Sequence, residues 1–347
     1  MDIEQQFNKY MRRALHEARK GWGQTSPNPM VGAVIVRDAK RIASGYHHGA
    51  GQPHAEIEAI RDLPDPELAR GADLYVTMEP CSTHGRTPPC TDAIIAAGFK
   101  RVIIGVIDPN PKHAGRGVEI LRAHGIEVET GIIQRGCTRL NEAWNHWIVK
   151  GTPFVTAKAA FSLDGALVRP AGEGQWLTSE AAREHAHRHL RANVDAILIG
   201  AETLRRDNPR LDVRLPGAAS ARQPWRVVLS RGGDLPKDAN VFTDAHKDRT
   251  IVFQNPQLDI EEVLKELGRH EILSLLVEGG AQILTEFFRR RLVQRASFYY
   301  APLLCGAPDP ASPGLGRLGF LGSSVELLSP EVAALGGGNL VVSGYVN

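Results

Sequence analysis

The chain has 347 residues, more than one compact core usually organises, so two domains are anticipated. Charged residues make up 23% and apolar residues 42%, which suits a globular protein in water, and a net charge of +2 with Lys and Arg scattered along the chain speaks against nucleic-acid binding. No apolar run approaches the roughly 20 residues of a membrane span, no cationic-then-apolar leader is visible, and four cysteines are too few for a disulfide framework, so a cytoplasmic chain with thiol or metal-ligating cysteines is expected.

Phe7, Met11 and Leu15 recur at helical spacing before Gly21, which predicts an amphipathic helix over residues 3–20. Strands are expected at 31–36, 73–78, 101–107 and 126–131, with helices at 54–61, 91–98, 117–125 and around 134–147. This alternation, with strands apolar on both faces, indicates an α/β sheet with parallel pairs. The stretch KGTPF (150–154) reads as a boundary, dividing the chain into domains at 1–148 and 152–347. Beyond it, strands are expected at 154–160, 195–200, 226–230, 250–254, 273–278, 296–302 and 339–346, and helices at 179–191, 260–268 and 281–290. Two Gly/Pro-rich loops fall at 214–224 and 306–319, and RRRL (289–292) reads as a cationic helix end.

The stretch HAEIEAI (54–60) places His54 two residues before Glu56. Alone, such a pair is usually surface decoration. Downstream, EPCSTHGRTPPC (79–90) adds Cys81 and Cys90, and one His with two Cys makes a three-ligand zinc set. Three protein ligands leave a position for water, as in catalytic sites. Zinc lowers the pKa of bound water toward about 7. Glu56, not needed as a ligand, can shuttle the proton to a leaving amine. A His-x-Glu followed by Pro-Cys and a second Cys is the pattern of zinc nucleobase deaminases, here with eight residues between the cysteines rather than two. A structural zinc site would need a fourth ligand, and His84 is the nearest candidate. A non-enzymatic zinc scaffold, a reductase with a decayed deaminase half, and an RNA-editing deaminase are competing readings. The intact His54/Glu56/Cys81/Cys90 set opposes the decayed half, and 6% aromatic content opposes the RNA reading.

The segments SPNPMVGAVIV (26–36), GYHHGAGQPHAE (45–56), EPCSTHGRTPPC (79–90) and IDPNPKHAGRG (107–117) resemble the deaminase domain of the bifunctional riboflavin-biosynthesis deaminase/reductase family. SLDGALV (162–168), GQWLTS (174–179), ILIGAETLRRDNPRLDVR (197–214) and LLVEGGAQILTEFF (275–288) resemble its reductase domain. The resemblance spans nearly the whole chain. It implies a cytidine-deaminase-like three-layer α/β domain followed by a dihydrofolate-reductase-like α/β domain. It implies deamination of a 2,5-diamino-6-ribosylaminopyrimidinone 5′-phosphate, then NADPH reduction of its ribosylamino group to ribitylamino. It also implies a homo-oligomer, dimer or tetramer, acting on small molecules with neither nucleic acid nor membrane as partner.

By the same resemblance His54, Cys81 and Cys90 match the zinc ligands and Glu56 the proton shuttle, while Asn28, His47 and Glu79 match pyrimidine contacts. Asn28, before Pro29, is equally readable as a turn residue. In the second half Gly279 and Gly280 follow a strand and open a helix, an arrangement that lets backbone N–H groups approach phosphate; no G-x-G-x-x-G follows a strand. The resemblance assigns Gly280, Ala281, Gln282, Ile283, Leu284, Thr285 and Glu286, with Phe161, Trp176, Thr203 and Asp207, to the cofactor. It assigns Lys158, Gly174, Arg191, Leu211, Arg214 and Glu278 to the substrate. Arg191 and Arg214 suit a sugar phosphate, because a guanidinium grips phosphate through two donors. The helix carrying Arg191 is one residue longer than expected, which leaves Arg188 as an alternative. Lys158 is also readable as a strand-edge lysine and Trp176 as plain core. Gly174 stands where a serine is expected, and Cys305 where a glycine is common. Arg205, Arg206 and Arg231 are candidates for a cofactor 2′-phosphate.

Overall fold

The computed structural model describes the chain except for residues 1–2, 85–87, 171, 175, 216–221 and 307–316. Gln175, part of the segment between Cys81 and Cys90, and most of the two Gly/Pro-rich loops therefore lie outside the described residues. The chain divides into two compact units, Met1–Gly151 and Thr152–Asn347.

The first unit runs α1 (Ile3–Ala18), β1 (Gly32–Arg37), β2 (Lys40–Tyr46), α2 (Ala55–Arg61), β3 (Asp73–Met78), α3 (Cys90–Ala97), β4 (Arg101–Val106), α4 (Arg116–Ala123), β5 (Glu127–Thr130), α5 (Gln134–Leu140) and α6 (Glu142–Lys150). Its sheet has the order β2-β1-β3-β4-β5. The β3–β4 and β4–β5 pairs are parallel as expected, whereas β1 runs antiparallel to both neighbours. Strand periodicity sorts β1 between two cores. Ala33 and Ile35 pack with Ala55, Ala59, Ile94 and Leu121 on one face, and Val34 and Val36 pack with Met11, Leu15 and Cys137 on the other. A one-residue slip would exchange these sets, and each fully buried Ile or Val stabilises by about 1.5–3 kcal/mol. Gly45 lets α2 lie directly on β2: a Cβ there would sit 2.3 Å from the Ala59 nitrogen. That close approach seats the start of α2, where His54 and Glu56 lie. The single helix expected around 134–147 is instead two, α5 and α6, broken at Asn141, whose side chain accepts from Met30 N and donates to Met30 O.

The second unit runs β6 (Phe154–Ser162), α7 (Glu180–His189), β7 (Ala196–Gly200), α8 (Ala201–Asp207), β8 (Trp225–Ser230), α9 (Asn240–Thr243), β9 (Thr250–Gln254), α10 (Ile260–Arg269), β10 (Ser274–Val277), α11 (Ala281–Arg289), β11 (Arg295–Ala301), β12 (Leu327–Leu335) and β13 (Asn339–Val346). Its sheet has the order β12-β13-β11-β6-β10-β7-β8-β9. The pairs from β11 to β9 are parallel, and β13 and β12 close one edge antiparallel. Leu198, Leu275 and Val277 pack against α10 and α11 on one face, while Ile197, Ile199 and Leu276 pack with Leu204 and Val241 on the other. Open sheets of this kind bind ligands beyond the carboxyl ends of their strands. The Arg-rich end of α11 is tied down by Glu286, which pairs with Arg289 and Arg290 at 2.7 Å.

Candidate functional site

In the first unit, backbone geometry assembles the chemistry. His54 is the N-cap residue of α2, Cys90 is the first residue of α3, and Cys81 follows β3. His54 Nδ1 lies 3.4 Å from Cys81 Sγ and 3.2 Å from Cys90 Sγ, and the Cys90 amide donates to Cys81 Sγ at 3.3 Å. A tetrahedral zinc with Zn–N of about 2.0 Å and Zn–S of about 2.3 Å holds N and S about 3.5 Å apart, so these donors fit that ion. The hydrogen bond from the Cys90 thiol, aided by His54, pulls the Cys81 thiol well down and pushes Cys90 up, so Cys81 is the readier thiolate donor. Among the described residues these three form the only His/Cys/Asp/Glu cluster suited to a metal, and exposed His84 is not part of it.

Glu56, in the first turn of α2, is 3% exposed. Burial, with the Cys81 charge beside it, lifts its carboxyl to about 7. A carboxyl that both holds and releases a proton near neutral pH suits general acid–base work. His47, its ring 5.2 Å from that of His54, forms an ordered pair with Asn28. His47 Nδ1 donates to the Pro53 carbonyl at 3.0 Å, which leaves Nε2 to accept from Asn28 Nδ2 at 3.0 Å. Burial lowers the His47 pKa, the Pro53 carbonyl opposes this, and His54 and His48 reinforce it. Asn28 keeps its carbonyl oxygen and a second N–H for a ligand.

Glu79 corrects the expectation of a pyrimidine contact. Its two carboxylate oxygens accept from four backbone amides, those of Asp108, Gly115, Gly117 and Val118, at 2.8–3.2 Å. The side chain thereby moulds the 108–118 segment instead of facing a ligand. That segment brings in a residue the sequence reading missed. Asp108 is partly buried, and burial together with Glu79 and Cys81 raises its pKa. Its sequence signal is the IDPNP segment (107–111), an acidic residue in a proline turn just after a strand.

In the second unit a cleft of about 1100 Å³ opens beyond the carboxyl ends of β6, β10, β7 and β8. Nine Lys or Arg side chains line it against four acidic ones, which favours anionic ligands. Gly279 is required by close packing: a Cβ there would lie 2.6 Å from Ile283 Cβ. The backbone of Gly280 and Ala281 then opens α11 at the cleft, where helix N–H groups attract anions. Thr203 faces this point from α8, within 3.4 Å of where a Gly280 Cβ would be. Gln282, Ile283, Glu286 and Asp207 also line the cleft, with Leu211 held at φ +52°. Trp176 lies at its rim, 56% exposed, with the Arg183 guanidinium 4.9 Å over its ring.

Arg191 and Glu278 form the centre of the cleft's charge network. Arg191 Nε and Nη2 donate to the two Glu278 oxygens at 2.8 and 2.7 Å, and Nη1 donates to Asp212 O at 3.3 Å. Burial alone would raise the Glu278 carboxyl, but Arg191 and then Lys158 outweigh it and hold it at about 2. Burial lowers the Lys158 pKa, and Glu278 opposes that. Arg188 pairs with exposed Glu184 at 2.6 Å and does not line the cleft, whereas Arg191 does. Arg191, however, is largely committed to Glu278, contrary to a simple phosphate-gripping expectation. Arg214 lines the cleft and pairs with Asp212.

Three residues expected at the cofactor are not brought to the cleft. Phe161 points into the core against Phe298 and Tyr300, and Leu284 packs in the same core, because strand and helix periodicity turns them inward. The Thr285 hydroxyl accepts from the Gly319 amide at 2.8 Å. Gly174 is exposed at φ +92° and is likewise absent from the lining. Its left-handed backbone disfavours the serine expected there.

A thiol–imidazole metal corner with a buried carboxyl beside it, in one α/β unit, and a basic nucleotide-sized cleft in another define a zinc deaminase joined to a reductase. The comparisons agree. The family described as the cytidine and deoxycytidylate deaminase zinc-binding region matches residues 4–106, and that described as the RibD C-terminal domain matches residues 153–338. The chain is 42% identical over 319 residues to the riboflavin biosynthesis protein RibD of Bacillus amyloliquefaciens, covering 86% of this chain and 85% of that one. The solved RibD of Acinetobacter baumannii (form 1) is 33% identical with a TM-score of 0.87 over 99% of both chains. The deaminase/reductase of Thermotoga maritima is 36% identical with a TM-score of 0.86, again over 99% of both. The chain belongs to the RibD family. It is a bifunctional riboflavin-pathway enzyme, hydrolase and oxidoreductase, with zinc and NADPH as cofactors and the cytidine-deaminase-like and dihydrofolate-reductase-like folds expected. No helix among the described residues is long and apolar enough to cross a membrane.

Proposed function

We propose that residues 1–148 deaminate 2,5-diamino-6-(5-phosphoribosylamino)pyrimidin-4(3H)-one and that residues 152–347 reduce the deaminated product with NADPH. The Thermotoga relative is described as acting on these two compounds. The observation that carries the first step is a three-donor metal corner beside a buried, proton-exchanging Glu56. His54, Cys81 and Cys90 hold the ion, which when bound supplies the Lewis acidity that activates water near neutral pH. Glu56 takes the proton from the attacking water and gives it to the departing amine, so that the C–NH2 bond is exchanged for C=O with release of ammonia. Asn28, oriented by His47, reads the pyrimidine edge. Glu79 shapes the wall that presents Asp108.

In the second unit, the start of α11 and Thr203 take the cofactor phosphates, and Asp207 and Trp176 flank the nicotinamide portion. Glu278, held ionised by Arg191, faces Lys158 across the substrate position. NADPH, when bound, would supply the hydride for the sugar C1; Lys158, beside ionised Glu278, is the group that would hand a proton to the ring oxygen as its bond to that carbon opens. Leu211 and Ile283 give this position an apolar wall. On this reading the enzyme acts in the cytoplasm as a homo-oligomer, dimer or tetramer.

The test is a coupled assay on purified, zinc-loaded protein given the diaminopyrimidinone ribosylphosphate. Ammonia release without NADPH, and NADPH oxidation only after deamination, are expected. Absence of ammonia at stoichiometric zinc would assign the metal corner a structural role.

A further inference from the structure

We propose that His187 is a substrate-phosphate residue of the reductase cleft, donating from Nε2 to the phosphate on the sugar. The inference rests on the reductase reading above and adds to it a residue given no role there.

Four observations support it. His187 sits in the last turn of α7 and lines the cleft together with Arg191 and Arg214. Its Nδ1 is 3.3 Å from the Arg214 backbone nitrogen, so Nδ1 accepts and the ring proton lies on Nε2. The ring's recorded hydrogen bond among the described residues is that one at Nδ1, and half-buried His187 lines the cleft, which leaves Nε2 available to a ligand there. Finally, the local charge is unbalanced. Arg191 is matched by Glu278, but Arg210 and Arg214 share the one carboxylate of Asp212. Three guanidiniums against two carboxylates leave a positive excess beside a neutral donor, which is the environment a phosphate dianion needs.

The imidazole also stays uncharged there. Burial first, then Arg191 and Arg214, lower its pKa to about 4, while Glu278 and Asp212 oppose the shift weakly. A neutral N–H donor adds a directed hydrogen bond without another mobile cation. The same ring braces the Arg214 backbone, so one residue both orients the arginine and completes its grip. Because Arg191 is engaged on Glu278 by two hydrogen bonds, Arg214 and His187 are the groups with capacity left for the phosphate.

The experiment compares two substrates on the full, zinc-loaded enzyme with saturating NADPH. One is 5-amino-6-(5-phosphoribosylamino)uracil, and the other is the same compound lacking the phosphate. For His187→Ala, kcat/KM on the phosphorylated compound should fall about 10- to 100-fold, mostly through KM, as for loss of a hydrogen bond to a charged group. On the phosphate-free compound the variant should match the unaltered enzyme. His187→Gln, whose amide N–H reaches the Nε2 position, should recover most of the loss. His187→Asn, which keeps only an acceptor near Nδ1, should not. Equal losses on both compounds, or rescue by Asn rather than Gln, would make His187 a brace for the 212–214 segment and overturn the proposal. If the unaltered enzyme reduces neither compound, the reductase reading itself fails, which is seen before any variant is made.

Discussion

The metal corner and the reductase cleft are built by opposite means. In the first unit the reacting groups come from 37 consecutive residues, His54 to Cys90, and are aimed by backbone: a helix N-cap, a helix first residue and a strand end. Even its supporting carboxylate, Glu79, works by binding four amides. In the second unit the groups are drawn from Lys158 to Glu278, across 121 residues, and are aimed by one another through ion pairs. A backbone-built site is robust to loss of a reacting side chain. A site built from buried ion pairs is not, because each partner left behind is an unpaired charge.

The largest expected effect tests the first half of that contrast. Glu56→Gln should lower ammonia release by about 10²–10⁴-fold, the usual worth of a general acid–base. Zinc content and NADPH oxidation on the deaminated intermediate should be unchanged. Loss of zinc from this variant would show that Glu56 supports the corner rather than the proton transfer.

Glu278→Gln should behave differently, costing fold stability as well as reduction. Breaking a buried pair costs about 3–5 kcal/mol, read as a lower denaturation midpoint of the second unit with the deaminase intact. The same pair sets a pH dependence. Glu278 is depressed from 4.5 to about 2 in the folded state, so its contribution, about 3 kcal/mol, is present above pH 4.5 and is lost as pH falls toward 2. Acid unfolding of the second unit should therefore flatten in the Gln variant. An unchanged acid limb would mean the pair does not govern it.

A smaller effect is expected at Glu79. An amide in its place accepts at one oxygen only and turns its NH2 toward backbone donors. Deaminase stability should drop by about 1–3 kcal/mol, and the KM for the pyrimidine should rise because the Asp108 wall loosens. Hydrogen exchange of the Gly115, Gly117 and Val118 amides reports this directly; protection equal to that of the unaltered protein would refute the moulding role.

The mildest change is Arg231→Ala. Arg231 lines the cleft after β8. Loss of one exposed phosphate contact should raise the KM for NADPH about 5- to 10-fold and leave NADH unaffected. Equal changes for both cofactors would move the 2′-phosphate elsewhere, Arg205 being the alternative.

Most parallel strands were legible because double-sided burial makes them continuous apolar runs. The missed strands have physical reasons. The β1–β2 hairpin turns at Asp38 and Ala39, both at positive φ, where Asn-Gly would have signalled a turn. In β12, Pro330 and a bulge between Leu328 and Glu331 disguise an edge strand, the position where proline is tolerated. The seven-residue helix α8 is too short to show a period.

The sequence by itself determined the two-unit α/β plan and the metal corner, because the corner's spacing is local and its residue types are chemically restrictive. Tertiary structure alone decided that Glu79 binds backbone and that Arg191 clasps Glu278. It also decided that Phe161 and Leu284 turn into the core, and that His187 faces the cleft. Those outcomes depend on which partner a charged or polar side chain meets across tens of residues, and a one-dimensional pattern holds residue types without the distances that choose between partners.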